Sequence, residues 1–379
     1  MLASGRGVNM TGNNRKTSIK RRHGLARAAH VLVLVLLVSA GSAGLGQQSP
    51  CTVSVNVLTP DLSSFPKADA DRALGAWKEF RGWERPTRGW DAPDFVTLGF
   101  VIVPFWTVER GLPAGAFLAR DKKRPVSIES VGIDRGPRRI AFIADNGKEM
   151  VAYGRKVETA VMAEILSKAR AEDSFALLTV RGPRVALRFG SSRESVQAAA
   201  DTLANPPQGK PDKESALEGI LEAASWLQPP QPGDSIILIS VLTDSKHNAS
   251  FTKVRRAVAT GRVRVFDIPL GGNVPPPLFI PDEGGDNSPR DMYALVRASG
   301  GVQLESRSLE QLRDNAEQMY NAIAEYYVLQ VSSIGPHLNI SLSPEFQKRL
   351  PMVMFLYPWN LPPCSRQSTT KRVAQSLCR

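Results

Sequence analysis

The feature that most constrains the fold is a regular alternation of apolar runs and amphipathic segments between residues 139 and 342. Residues 139–144 and 235–242 are apolar with little alternation, which is typical of parallel strands buried on both faces. Segments with helical spacing of apolar residues lie between such runs. Strands that alternate with helices of this length predict an α/β fold, with a doubly wound, mainly parallel sheet and helices on both faces.

The rest of the chain divides around this region. An alternating strand, a helix and several short β segments predict a small β-rich region before it. The expected strands are residues 52–58, 95–103, 116–118, 126–131, 139–144, 175–180, 185–189, 235–242, 263–268, 302–304, 327–331 and 338–342. The expected helices are residues 68–80, 148–171, 192–203, 213–227, 251–260, 291–298 and 309–326. The expected organisation is a leader (1–46), an N-terminal β-rich region (47–133), an α/β domain (134–333), a C-terminal strand extension (334–363) and a basic disordered tail (364–379).

The leader has the three parts of a secretory signal peptide. Basic residues precede the apolar run 31–38, and small residues follow it to Gly46. The apolar run is shorter than the roughly 20 residues that span a bilayer, so we expect no membrane span in the mature chain. Export to the medium, the periplasm or the cell envelope follows. An uncleaved N-terminal anchor is the alternative.

The charge distribution argues against a nucleic-acid partner. Of the net charge of +12, seven charges lie in residues 1–46 and four in residues 364–379, which leaves one for the body of the chain. Binding to phosphates requires clustered lysine and arginine, and the body of the chain is nearly neutral.

Three cysteines lie near the ends of the mature chain, at Cys51, Cys364 and Cys378. In an oxidising compartment Cys51 could pair with Cys364, or Cys364 with Cys378. The odd number leaves one thiol in either case, and no spacing suits a zinc site.

Polar side chains occupy three places where this architecture puts sites. Asp145 directly follows the first buried strand, Asp244 follows the strand 235–242, and Ser215 begins a helix. Ligands of parallel sheets bind beyond the carboxyl ends of the strands. Carboxylate and hydroxyl oxygens are the ligands that Mg²⁺ prefers, so these residues are candidate metal ligands.

The ordered series of these segments resembles a von Willebrand factor type A domain. It comprises the strand ending at Asp145, residues 175–180, Ser215-Ala-Leu, the strand ending Val-Leu-Thr-Asp244, and residues 263–268. Residues 117–126 and 325–330 are similar, more narrowly, to secreted bacterial proteins with this domain, common in acidobacteria. The resemblance covers about residues 94–342 and implies a domain used for binding.

The family's metal-ion-dependent adhesion site combines Asp-x-Ser-x-Ser with a threonine and a second aspartate. The resemblance implies Asp145 as the first aspartate, Ser215 at the threonine position and Asp244 as the last aspartate. Gly147 and Glu149 stand where the family has its two serines, so two hydroxyl ligands are missing. Glu149 would have to fold back to coordinate. We therefore expect a degenerate site that binds Mg²⁺ weakly or not at all.

These observations predict an exported, non-enzymatic module for protein–protein interaction or adhesion, whose partner and oligomeric state the sequence does not indicate. If a metal is bound, an acidic side chain of the partner protein would complete its coordination. One alternative is a cell-envelope scaffold without metal. Another is a phosphoryl-transfer hydrolase that uses Asp145, although Gly147 stands where such enzymes carry a second acid. No phosphate-binding loop, nucleophile elbow or dinucleotide fingerprint occurs.

Overall fold

The computed structural model describes residues 51–63, 65–83, 105–147, 152–181, 183–205, 215–240, 250–270, 289–304, 309–350 and 352–358. Several expectations fall outside these ranges. They are the leader 1–46, the strand 95–103, the tail 364–379, and the site residues Glu149 and Asp244.

Strands and helices alternate along most of the described chain. The strands are β1 (Cys51–Asp61), β2 (Phe105–Val108), β3 (Phe117–Asp121), β4 (Arg124–Val126), β5 (Ile128–Asp134), β6 (Arg139–Asp145), β7 (Ser174–Val180), β8 (Ala186–Leu187), β9 (Ser235–Ser240), β10 (Arg264–Pro269), β11 (Tyr326–Val331), β12 (Leu338–Leu342) and β13 (Met354–Leu356). The helices are α1 (Lys67–Trp83), α2 (Ala152–Lys168), α3 (Arg193–Thr202), α4 (Ala216–Trp226), α5 (Phe251–Gly261), α6 (Pro289–Ser299), α7 (Leu309–Ala324) and α8 (Pro344–Arg349).

One five-stranded sheet has the order β10-β9-β6-β7-β8. The pairs β10–β9, β9–β6 and β6–β7 are parallel, and β7–β8 is antiparallel. In the register of β6 and β7, Asp145 is opposite Val180, so the two strands end side by side. The expected strand 185–189 is reduced to two residues that turn back on β7. The expected strand 302–304 is only an isolated bridge between Gln303 and Asp267.

Helices pack on both faces of this sheet, because successive strand residues point to opposite sides. Ile140, Phe142 and Ala144 face a core that includes residues of α2, α3 and α7. Ala141 and Ile143 face a second core that includes residues of α4, α5 and α6. Each strand residue from Ile140 to Ala144 is fully buried, which explains why the run shows no polar alternation.

The remaining described strands form two antiparallel sheets. One has the order β13-β1-β11-β5 with β2 also paired to β1, and the other has the order β12-β3-β4. Their inward side chains, such as Val53, Phe117 and Leu329, share a third core. The protein is therefore a mixed α/β chain with several sheets. The expectation of one doubly wound, mainly parallel sheet was too narrow, because the sequence pattern does not reveal that distant antiparallel strands add two further sheets.

A buried polar network joins β1 to the parallel sheet. The Asn56 side chain accepts a hydrogen bond from Arg264 Nη1 at 2.7 Å and donates to the carbonyl oxygens of Ala322 and Glu325 at 2.8 and 2.9 Å. Asn56 is fully buried, and its partners belong to the start of β10 and the end of α7. β1, in the expected N-terminal region, pairs with β11 of the expected α/β domain and with β13 of the expected C-terminal extension. The domain boundaries at 133/134 and 333/334 stay predictions.

Two further findings concern a disulfide bond and the hydropathy of the helices. Cys51 is disulfide-bonded, and its partner lies outside the described residues. Cys364 and Cys378, whose pairing with each other is the alternative expectation, lie outside the described residues. Among the helices within the described ranges, none combines the length and the hydropathy that crossing a bilayer requires.

Candidate functional site

The candidate site lies at the carboxyl edge of β6 and β7. Asp145 is the last residue of β6, and its side chain is fully buried. The backbone N–H of Asn146 continues the ladder by donating to the Val180 carbonyl at 2.9 Å. The loops that follow the two strands therefore leave the sheet in contact with each other, as expected for parallel neighbours.

Both carboxylate oxygens of Asp145 contact the guanidinium group of Arg181. Nε of Arg181 donates to Oδ1 at 3.2 Å, and Nη2 forms an ion pair with Oδ2. Oδ1 also accepts the backbone N–H of Gly147 at 2.9 Å. The Arg181 side chain is 12% exposed, so the ion pair is largely shielded from solvent. Removal of either side chain from a shielded, hydrogen-bonded ion pair of this kind destabilises the protein, because the other charge is left buried without a partner.

The loop after β7 holds Arg181 in place. Arg181 has a φ of 62°, a left-handed conformation that is uncommon for a residue other than glycine. The Thr179 hydroxyl donates to the Pro183 carbonyl at 2.9 Å and accepts the Val185 N–H at 2.7 Å. The Asn146 amide donates to the same Pro183 carbonyl at 3.0 Å. These bonds connect the two loops and orient the start of the β7–β8 turn.

A buried glutamate lies behind Asp145. Glu158, on α2, accepts the backbone N–H of Asp145 through Oε1 and is completely buried. Its Oε2 atom has no hydrogen-bond partner among the described residues. Burial raises the pKa of Glu158 well above its ordinary value, and the nearby charge of Arg155 offsets part of that rise. Folding therefore shifts the protonation equilibrium of Glu158 toward its neutral form.

Ser215 serves as the N-cap of α4. Its hydroxyl accepts the N–H of Glu218 at 3.3 Å, and the Glu218 carboxylate accepts the Ser215 N–H at 2.8 Å, which is a capping box. One turn later, a Cβ at Gly219 would lie 2.7 Å from Val180 and 3.2 Å from Ile143, near the carboxyl ends of β7 and β6. The N-terminus of α4 is thus placed at the same edge as Asp145.

Of the four expected metal ligands, Asp145 and Ser215 lie at this edge, whereas Glu149 and Asp244 lie outside the described residues. The Asp145 carboxylate is not available as a metal ligand in this arrangement, because both of its oxygens already contact the guanidinium group of Arg181. Within the described part of the chain, no group of three or more His, Cys, Asp or Glu side chains could hold a metal ion.

Sequence reasoning missed Arg181, Glu158 and Arg155. A signal for Arg181 was present, because it directly follows the strand that neighbours β6 and therefore belongs to the same edge. The predicted ligand set at this edge contains only oxygen ligands and no cation. Glu158 and Arg155 lie on the first helical turns of α2, where no local pattern distinguishes them from surface residues.

No model of a known protein family matches the chain. No curated protein matches it either. Solved structures similar to it include an aerotolerance-related membrane protein from Bacteroides fragilis, with 13% identity and a TM-score of 0.37 over 49% of this chain and 99% of that one.

A von Willebrand factor type A structure from Catenulispora acidiphila has 14% identity and a TM-score of 0.35, over 56% of this chain and 47% of that one. Proximal thread matrix protein 1 of the mussel byssus, with a zinc-occupied MIDAS motif, has 16% identity and a TM-score of 0.37, over 53% of this chain and 50% of that one. The chain thus spans about half the length of these two proteins. The structures to which it is similar include von Willebrand factor type A proteins, at identities and TM-scores that carry no conclusion about a shared ligand or activity.

Proposed function

We propose that this protein is an exported, non-enzymatic interaction module of the adhesion type, which binds a protein partner at the carboxyl edge of β6 and β7. The observation that carries the proposal is the shielded ion pair between Asp145 and Arg181 at that edge. The pair occupies the Asp145 carboxylate, while hydrogen bonds between the two loops keep the surrounding surface in a fixed shape. A preorganised surface loses little conformational entropy when a partner binds.

Export is supported by two independent features. Residues 1–46 have the pattern of a secretory signal peptide. Cys51 is disulfide-bonded, and structural disulfides persist mainly in oxidising compartments. In this proposal the mature chain consists of the β-rich region 47–133, the type A-like domain 134–333, the extension 334–363 and the basic tail.

A metal ion has at most a minor role in this proposal. The degenerate ligand set is Asp145, Glu149, Ser215 and Asp244, and we propose that it binds Mg²⁺ weakly or not at all. The contacts of Asp145 with Arg181 and the use of Ser215 as a helix cap support this view. Partner binding then depends on loop surfaces and not on a coordinated ion.

The competing hydrolase would need Asp145 as a nucleophile. The Asp145 side chain is fully buried, and both of its oxygens interact with Arg181. A carboxylate in this arrangement is poorly accessible to a phosphoryl group and is stabilised as the ground-state anion. A scaffold without metal differs from our proposal only in that it needs no specific partner at this edge.

The test measures sedimentation of the purified protein with isolated cell envelopes, with and without EDTA. Two exposed arginines in ion pairs serve as a matched pair: Arg184, bonded to Glu222 beside the candidate edge, and Arg135, bonded to Glu325. We expect saturable binding that EDTA leaves unchanged and that protease treatment of the envelopes abolishes. Arg184→Glu should weaken it by at least about tenfold, and Arg135→Glu should leave it unchanged.

Two results would contradict the proposal. One is non-saturable binding that both arginine variants leave unchanged, which would favour a general envelope scaffold. The other is turnover of phosphate esters that disappears in Asp145→Asn, which would favour the hydrolase.

A further inference from the structure

We infer that Arg181 is an intramolecular cation that occupies Asp145 in place of a divalent metal ion and keeps metal out of the site. This inference concerns the same edge as the proposed function and deepens it, because it states why partner binding there does not depend on metal. It concerns the purified chain and a metal ion alone, so its test requires no partner.

The contact geometry is that of a carboxylate bound side-on by a guanidinium group. Nε and Nη2 of Arg181 each contact one oxygen of Asp145, and the Nε–Oδ1 distance is 3.2 Å. Such two-point contacts are the strong form of the arginine–carboxylate interaction. A divalent ion at Asp145 would have to displace both contacts and would then be repelled by the guanidinium charge beside it.

The backbone presents Arg181 to Asp145 in an unfavourable conformation. A φ of 62° costs free energy for an arginine, and it persists because the bonds of Thr179 and Asn146 to Pro183 fix the loop. The conformation places the side chain over the end of β6. The loop is therefore arranged around an ion pair between neighbouring strand ends, at the expected metal ligand Asp145.

The hydroxyl that would be a second ligand is also engaged. Ser215 is 1% exposed, and its hydroxyl accepts the Glu218 N–H within the capping box of α4. A metal ion would compete with this bond as well. The two described ligand positions thus already have intramolecular partners.

Removing the guanidinium group should therefore open the site. Arg181→Gly deletes the cation and at the same time relieves the left-handed backbone, because glycine adopts positive φ without strain. Arg181→Gln deletes the charge but keeps a shorter, polar side chain on the left-handed backbone. The two variants separate the effect of charge from the effect of backbone conformation.

The experiment titrates Mn²⁺ into EDTA-stripped full-length protein. Paramagnetic resonance measures free Mn²⁺, and thermal unfolding with and without Mn²⁺ measures stabilisation. We expect no saturable binding by the wild type in the millimolar range. Arg181→Gly and Arg181→Gln should bind Mn²⁺ saturably and at least about tenfold more tightly than the wild type, and Mn²⁺ should raise their unfolding temperatures.

Two control variants complete the design. Arg184→Gln removes a cation from the same loop that bonds Glu222 and not Asp145, so it should behave like the wild type. Asp145→Asn, added to Arg181→Gly, should abolish the new binding while it leaves no unpaired charge of the pair behind. Circular dichroism confirms that each variant is folded.

The inference is overturned if the wild type binds Mn²⁺ as tightly as the Arg181 variants. It is also overturned if both folded Arg181 variants fail to bind, or if their binding survives Asp145→Asn. None of these results concerns envelope binding, so they are distinguishable from a failure of the proposed function.

Discussion

Tyr326 is stacked between two buried arginine side chains. The guanidinium carbon of Arg138 lies 4.5 Å from the ring centroid, and that of Arg264 lies 4.1 Å from it. The Tyr326 hydroxyl donates to Oδ2 of Asp134 at 2.6 Å. Burial lowers the pKa of Arg264 to about 10, so its guanidinium group remains charged at neutral pH. Asp134 supplies negative charge to this network. Its ionisation therefore affects the stability of the contact between the antiparallel sheet that contains β5 and the parallel sheet that contains β10.

Asp134→Asn should destabilise the protein at neutral pH and flatten its response to acid. Burial alone would raise the pKa of Asp134, but hydrogen bonds from Tyr326 and Gly136 and the charge of Arg138 hold it below the ordinary 3.8. The ionised carboxylate therefore stabilises the fold above pH 3.8, and this contribution is lost as the pH falls through the lower pKa of the folded state. We expect a loss of about 1–3 kcal/mol at pH 7.

Urea denaturation across a pH series measures this effect. Glu129→Gln is the control, because Glu129 is an exposed carboxylate on the same strand, β5. The control should match the wild type at each pH. If Asp134→Asn also matched the wild type at pH 7 and in acid, the ion network would contribute nothing to stability.

The position of α4 depends on a glycine, whose lack of a side chain lets the helix lie close to the sheet. Leu217, Ile220 and Ala224 form the apolar face that packs on the sheet. Gly219 lies on the same face, where it lets the helix approach the ends of β6 and β7 closely. This close approach, together with the cap at Ser215, places the N-terminus of α4 at the candidate site.

Gly219→Ala should destabilise the protein by about 1–3 kcal/mol, although alanine is the better helix former. The added methyl group would lie 2.7 Å from Cγ1 of Val180, a fully buried side chain on a rigid strand. Gly75→Ala on α1 is the matched control, because a Cβ there meets no atom within 4 Å. That variant should be neutral or stabilising by up to about 1 kcal/mol. Equal effects of the two substitutions, measured by chemical denaturation, would show that α4 does not approach the sheet so closely.

At the scale of the whole molecule, strand β11 connects distant parts of the chain. It pairs with β1 from Cys51 to Val55 on one side and with β5 on the other. Tyr326, at the start of β11, contacts Arg264 of the parallel sheet, and Leu329 belongs to the core of the antiparallel sheets. The antiparallel sheets and the parallel sheet are thus joined through residues that are far apart in sequence.

A fragment of residues 134–333 should not fold cooperatively, because β11 would lose both neighbouring strands and expose one face to water. A fragment of residues 51–379 retains β1, β5 and the cysteines with which Cys51 can pair, and it should unfold in a single urea transition. Near-ultraviolet circular dichroism and urea titration compare the two. Cooperative unfolding of the shorter fragment, with comparable stability, would show that the type A-like domain is independent and would support the boundaries at 133/134 and 333/334.

The sequence by itself determined the order of most strands and helices in the region 139–342. Hydrophobic periodicity is a local property, so the buried strands β6, β7, β9 and β10 and the helices between them appear within a few residues of their expected bounds. The position of Asp145 at a strand end follows from the same reasoning.

Only the tertiary structure decided what surrounds these elements. Pairing of β1 with β11 joins residues more than 270 positions apart, and no local pattern specifies such a partner. The contacts of Asp145 with Arg181 and Glu158 likewise depend on which strand and which helix lie beside β6. A carboxylate at a sheet edge attracts both metal ions and guanidinium groups, and the fold determines which of the two is brought within reach.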